Sequence, residues 1–222
     1  MIDQLKSLLD FIASHESEGA ARRQKISAYD VVWNGIRKEH RPPKPITQLT
    51  IGHLLAWQDS IDPLYRSEAA GRYQIMEDTL RGPLIKEAGL TEASLFDEAN
   101  QDRLAVALMK RRGLDRFLHG YLSVEAFCNE LAKEWASLPV VSGPKKGRSH
   151  YDGDGLNKAL VDVKPFIAVV RAIREEAAKP LPPAAPKPQA IIATGPSIIA
   201  RIIAAIAALF GAMRGGGSSR PL

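Results

Sequence analysis

Apolar residues Leu5, Leu8, Leu9 and Ile12 recur at helical spacing behind Asp3, a residue type that caps helix starts. The pattern predicts a helix over residues 3–17, with Gly19 as its stop. At about 100° per residue, Glu16 falls in the middle of the apolar stripe, whereas Glu18 points to nearly the opposite side. The same periodicity predicts helices over residues 47–59, 76–88, 97–112, 123–138 and 165–179, with Asp97 and Ser123 as caps and Pro139 as a stop. Residues 29–33 (Y-D-V-V-W) alternate and are rich in aromatic and β-branched side chains. They predict a short strand ending in a turn at Asn34-Gly35, so the expected β content is one small hairpin. Residues 20–26 carry Arg22, Arg23 and Lys25 without apolar periodicity and read as an exposed basic loop. Further loops are expected over 37–45, 62–71 and 140–155.

Composition then divides the chain. Residues 1–178 form a mainly helical domain, and residues 179–190, with Pro180, Pro182, Pro183, Pro186 and Pro188, read as a semi-rigid linker. Residues 191–213 are apolar, with a helix expected over 197–213 interrupted only by Arg201, and 214–222 form a Gly/Ser/Arg tail. That helix is slightly short for a span of about 20 residues, and an arginine at mid-membrane costs roughly 2.5–3.5 kcal/mol on insertion scales. Arg201 lies near one end, where it can snorkel, so association of residues 197–213 with a bacterial membrane is the expectation. Docking of this helix on the domain or on another copy is the alternative.

The net charge of +5 and pI near 9.3 suit an anionic polymer, but no nucleic-acid motif or dense Lys/Arg stripe is present, and nucleic acid is not expected as a partner. Cys128 is the only cysteine, which excludes an internal disulfide or a cysteine-built metal site and predicts a small buried hydrophobe. The D-G-D-G run at 152–155 lacks the remaining ligands of a calcium loop, so neither metal nor cofactor is expected. The N-terminal M-I-D-Q-L-K lacks a basic region followed by an apolar run and does not read as an ordinary secretory signal. A location in the host cytoplasm or at its inner membrane is expected, with access to the periplasmic wall after release.

Glycosidic cleavage needs a carboxylic acid that keeps its proton near neutral pH, and a glutamate in an apolar wall at a helix end supplies one. Glu16 meets that description by helical phase; pattern alone leaves open a helix-end glutamate facing solvent. The motifs E-S-E-G (16–19) and A-A-G-R-Y-Q-I-M-E-D-T (69–79), in this order, resemble the lysozyme-like superfamily, nearest to bacterial soluble lytic transglycosylase domains and phage muramidases. Lambda-type phage endolysins share the G-R-Y-Q element and an A-S-L-P after a tryptophan, here residues 71–74 and 136–139. The resemblance spans about residues 5–170.

This likeness implies an α+β lysozyme-like fold acting on peptidoglycan glycan strands at the β-1,4 bond between N-acetylmuramic acid and N-acetylglucosamine, as hydrolase or lytic transglycosylase. A phage or prophage endolysin is the implied identity; a non-catalytic wall-binding virion module of the same fold is the alternative. It further implies Glu16 as the catalytic acid, with Ser17, Gly71, Tyr73 and Gln74 lining the substrate cleft. A Ser-Glu-Gly reading would select Glu18 instead; the Glu-Ser order and the inward face favour Glu16. Asp30 is the best available second carboxylate, with a solvent-facing strand position as its other reading. His15 is a substrate contact or a partly buried helix residue. Trp33, Tyr73 and Trp135 are candidates for stacking on sugar rings, with core packing favoured for Trp135.

Overall fold

The first helix, α1 (Ile2–Glu16), buries the stripe its spacing foretells, Leu5, Leu8, Leu9, Ile12 and Ala13. In the computed structural model, which describes residues 2–178, this stripe packs against α7 (Val163–Ala177), whose inward residues are Phe166, Val170 and Ile173. Phe11 and Phe166 stack across the seam with ring centres 6.0 Å apart. Between these helices in the sequence lie α2 (Glu18–Gln24), α3 (Ile51–Ile61), α4 (Glu98–Arg111), α5 (Leu114–Leu118) and α6 (Val124–Leu131). Helix α4 is the central one, burying Leu104, Ala105, Val106, Ala107, Leu108 and Met109, more than one stripe's worth. Asp97, Ser123 and Thr50 cap α4, α6 and α3 by accepting the N–H groups of Asn100, Ala126 and His53.

Four sequence expectations are corrected. The break after α1 falls at Ser17, two residues before Gly19, and residues 18–24 form α2 rather than a loop. Ala20, Ala21, Arg22 and Arg23 are good helix formers, and a seven-residue helix that buries only Ala21 leaves no apolar period to read. The strand expected over 29–33 begins instead as a single 3-10 turn, Ala28–Asp30, capped by Ser27. The helix expected over 76–88 is interrupted: Gly82 leaves helical geometry (φ −71°, ψ −157°) ahead of Pro83, whose ring disfavours helical backbone in the residue before it. Helix α6 ends at Leu131 rather than at residue 138, and the chain turns so that Trp135 and Leu138 enter the core.

The hairpin is reduced to isolated antiparallel bridges, Val32 with Ala70 and Ala70 with Ile75. Ala70 and Ile75 exchange both backbone hydrogen bonds (3.1 and 2.9 Å), so residues 71–74, the G-R-Y-Q element, are the tip of a minimal hairpin. The Gly71 N–H bonds the Val31 carbonyl at 2.7 Å and Trp33 N–H bonds the Ala69 carbonyl at 2.9 Å, tying residues 31–33 alongside. Gln58 of α3, fully buried, donates to the carbonyls of Glu68 (3.0 Å) and Ile75 (3.1 Å) and pins this tip to the helical core. Cys128 is buried as expected, and burial pushes its thiol up to about 12. Residues 179–222, including the linker, the apolar 191–213 segment and the tail, lie outside the described residues. Among the described residues no helix is long and apolar enough to cross a membrane.

Candidate active site

A cleft of about 540 Å³ opens where the end of α1, the 67–76 segment, the turns after α6 and the 151–160 loop meet. That volume lies within the range of about 300–1,000 Å³ seen for small-molecule sites. Glu16, the last residue of α1, lines it beside His15, Trp33, Gln74, Trp135 and Ser137. The Ser137 hydroxyl donates to Glu16 Oε1 at 2.5 Å, and the Ser137 carbonyl accepts the Leu160 N–H at 2.8 Å. One residue therefore fixes both the carboxyl group and the loop that closes this side of the cleft. Burial raises the Glu16 pKa above the ordinary carboxyl value, opposed by the hydrogen bonds from Ser137 and by the nearby His15. No Lys, Arg or His among the described residues forms an ion pair with Glu16.

The fold separates Glu16 from Glu18 by more than helical phase. Glu18 opens α2, pairs with Arg22 at 3.5 Å, and lines a different depression of about 440 Å³ with Asp10, Tyr29 and Arg72. Ser17 is buried at the break; its hydroxyl donates to the Arg72 carbonyl at 2.7 Å, so it joins the helix end to the 71–74 tip and does not line the cleft. Gly71 also serves the tip. Its φ of +80° and the Gln101 Oε1 that would lie 2.3 Å from an added Cβ leave no room for a side chain. Gln74 reaches the cleft, held at φ +48° while its amide donates to the carbonyls of Gly71 (2.8 Å) and Val31 (3.3 Å). A non-glycine residue in the left-handed region is uncommon and concentrates at functional sites.

Tyr73 and Asp30 are not where the likeness would have them. Tyr73 is buried, donating its hydroxyl to Asp102 Oδ1 at 2.6 Å and accepting from Arg72 at 2.9 Å, on the far side of the tip from the cleft. Burial first, then the Asp102 carboxylate, pushes its phenol far above the usual range. Asp30 Oδ1 accepts the Thr47 N–H at 2.9 Å and lines a third depression with Gln24 and Arg41. The strand that was to aim it inward is a 3-10 turn, and the carboxylate instead meets the backbone of Thr47, 17 residues along the chain. Trp33 lines the cleft half-buried, and Trp135 lines it from the core, its indole N–H donating to the Tyr73 carbonyl at 3.3 Å. His15 also lines it, with Nδ1 2.8 Å from the Phe11 carbonyl.

Several site residues had no signature in the pattern. Ser137 is one; the A-S-L-P likeness marked its position but not its bond to Glu16. Gln101, fully buried, is another: it accepts the Arg72 N–H (2.9 Å) and donates to the carbonyls of Tyr29 (3.0 Å) and Phe96 (2.8 Å), so it holds the tip from behind. The second acid of the cleft, Glu134, is bound to Arg112 at 2.7 Å. Among the described residues no group of three or more His, Cys, Asp or Glu is placed to hold a metal. In the D-G-D-G run, Asp154 accepts the N–H groups of Leu156 and Asn157 and Asp152 pairs with Arg148, so both carboxylates are engaged by protein donors.

In comparison with known proteins, the model of one family, Endolysin, matches residues 6–161, most of the chain and all of the segments that build the cleft. No curated protein and no solved structure matches.

Proposed function

The chain belongs to the endolysin family, which makes it a cell-wall lytic enzyme acting on peptidoglycan, and we propose that its reaction is muramidase cleavage of the glycan strand. The bond broken is the β-1,4 link between N-acetylmuramic acid and N-acetylglucosamine, and Glu16 is the acid. The observation that carries this reading is a carboxyl group in the cleft, raised in pKa by burial and held by the Ser137 hydroxyl rather than by a cation. A carboxyl in that state is protonated where an ordinary glutamate is not, and can give its proton to the leaving oxygen as the C1–O4 bond breaks.

What attacks C1 is the finer question. A retaining hydrolase places a second carboxylate about 5–5.5 Å from the acid, and an inverting one about 6.5–9.5 Å away. Asp30 lines another depression and Glu134 is neutralised by Arg112, which leaves Glu16 as the one acid of the cleft without an ion pair among the described residues. This favours the muramic acid's own 6-hydroxyl as nucleophile, with Glu16, by then a carboxylate, taking up the hydroxyl proton. Anhydro ends in the released muropeptides, read by mass spectrometry, support this route; reducing ends support water.

A zymogram of the wild type beside Glu16→Gln and Glu18→Gln tests the assignment. Clearing is expected from the wild type and Glu18→Gln and not from Glu16→Gln. Clearing by Glu16→Gln would refute the role, and no clearing by the folded wild type would favour a wall-binding module. For residues 197–213, outside the described residues, membrane association is proposed from sequence alone. Equal partitioning of the full chain and a chain ending at Lys179 onto liposomes would sink it.

A further inference from the structure

The cleft that holds Glu16 carries charge that a neutral glycan backbone cannot use. Four cations line it: Arg66, Arg112, Lys133 and Lys158. Two are spent within the protein, Arg112 on Glu134 (2.7 Å) and Glu130 (3.9 Å), and Lys133 on Glu130. Arg66 and Lys158 are exposed and have no ion-pair or hydrogen-bond partner among the described residues. The acids of the cleft form no pair with them, since Glu134 is engaged by Arg112 and Glu16 is held by the Ser137 hydroxyl.

Both cations sit on segments that also touch the catalytic geometry. Arg66 precedes Ser67 and Ala69, the latter bonded to Trp33, and Lys158 lies two residues before Leu160, whose N–H is bonded to Ser137. A strand laid past Glu16 therefore presents its substituents to them. N-acetylglucosamine carries hydroxyls and an amide only. The muramic residue carries, through its lactyl group, a peptide bearing free carboxylates. Of the groups on such a strand, these are the ones that complement an unpaired guanidinium and an unpaired ammonium.

We propose that Arg66 and Lys158 are specificity determinants that bind carboxylates of the peptide borne by the muramic residue, so that this enzyme favours strands whose peptide carboxylates are free over strands whose carboxylates are masked as amides. The inference rests on the muramidase reading of the cleft. Each exposed pair is worth about 0.2–1 kcal/mol, so the two together set a preference of about fivefold in kcat/KM, at a factor of ten per 1.36 kcal/mol.

The test compares teichoic-acid-free sacculi with the same sacculi whose peptide carboxylates have been converted to methylamides by a carbodiimide and excess methylamine, which exposes no lactyl carboxylate, scoring new glycan ends. The wild type is expected to cut the strands with free carboxylates about fivefold faster than the amidated ones, with the ratio shrinking as salt is raised. In Arg66→Gln/Lys158→Gln the ratio is expected to fall toward one, and because it is a ratio a loss of folded protein does not mimic it. A wild-type ratio of one, or a fivefold ratio that survives in the double variant, overturns the proposal. Cleavage of neither substrate by the wild type overturns the muramidase reading and this inference with it.

Discussion

Gly71→Ala tests whether the hairpin tip is held as rigidly as its contacts imply. An alanine at φ +80° pays about 1–2 kcal/mol for the left-handed backbone alone. Its Cβ would stand 2.3 Å from Gln101 Oε1 and 2.9 Å from Phe96 Cε1. Gln101 cannot simply swing aside, because its amide satisfies the Arg72 N–H and the carbonyls of Tyr29 and Phe96 in the interior. Overpacking adds about 1–3 kcal/mol, and any buried polar group left unpaired adds about 1–3 more. The sum is about 3–8 kcal/mol, a large part of the roughly 5–15 kcal/mol that holds a domain folded. Gly120→Ala is the control, since φ there is +78° and nothing lies within 4 Å of an added Cβ. It carries the backbone term without the collision and should cost about 1–2 kcal/mol. Urea unfolding followed by circular dichroism measures both, and calorimetry should show Gly71→Ala melting roughly 6–30 °C lower than the wild type at about 2–4 °C per kcal/mol. Equal losses for the two variants would refute the reasoning, because the contact with Gln101 would then contribute nothing. In the double variant Gly71→Ala/Gln101→Ala the two losses should be strongly non-additive.

Three further outcomes follow from the same contacts. Burial raises the Glu16 pKa, so the folded chain holds that proton more tightly than the unfolded one; the stability this gives is full below the unfolded value of about 4.3 and is lost as pH rises through the folded value. Glu16→Gln should therefore melt above the wild type at pH 7–8, with the gap closing toward pH 4, while glycan cleavage falls by about 10²–10⁴; a lower melting point at pH 8 would contradict the buried-acid assignment. Ser137→Ala removes a hydrogen bond that favours the Glu16 carboxylate, so the alkaline limb of the pH–rate profile should move to higher pH, and Ser137→Thr should restore it; an unmoved limb would show that Ser137 does not act through Glu16. Tyr73→Phe strips the hydroxyl shared with Asp102 and Arg72 and should cost about 1–3 kcal/mol in chemical denaturation, with cleavage largely retained; loss of cleavage without loss of stability would return Tyr73 to the substrate.

Sequence by itself determined what rests on local periodicity and on residue chemistry. The apolar stripe of α1 follows from the spacing of Leu5, Leu8, Leu9 and Ile12, because a helix that must bury one face leaves little choice of which face. The inward faces of α6 and α7 were legible for the same reason, and the caps at Asp97 and Ser123 from residue type. Short elements were not: α2 buries one alanine, and the hairpin around Ala70 and Ile75 is a single bridge, held from the core by hydrogen bonds of Gln58 and Gln101. Tertiary structure alone decided the site. The meeting of Glu16 with Ser137 spans 121 positions of chain, and no local period encodes a contact of that separation. It also sent Glu18 and Asp30 to other depressions and Tyr73 into the interior, since side-chain direction at a helix break or a 3-10 turn depends on what the neighbouring segments leave open. The proposed acid could be singled out from the sequence; its isolation as the one carboxyl of the cleft without an ion pair among the described residues came from the packing of distant turns around it.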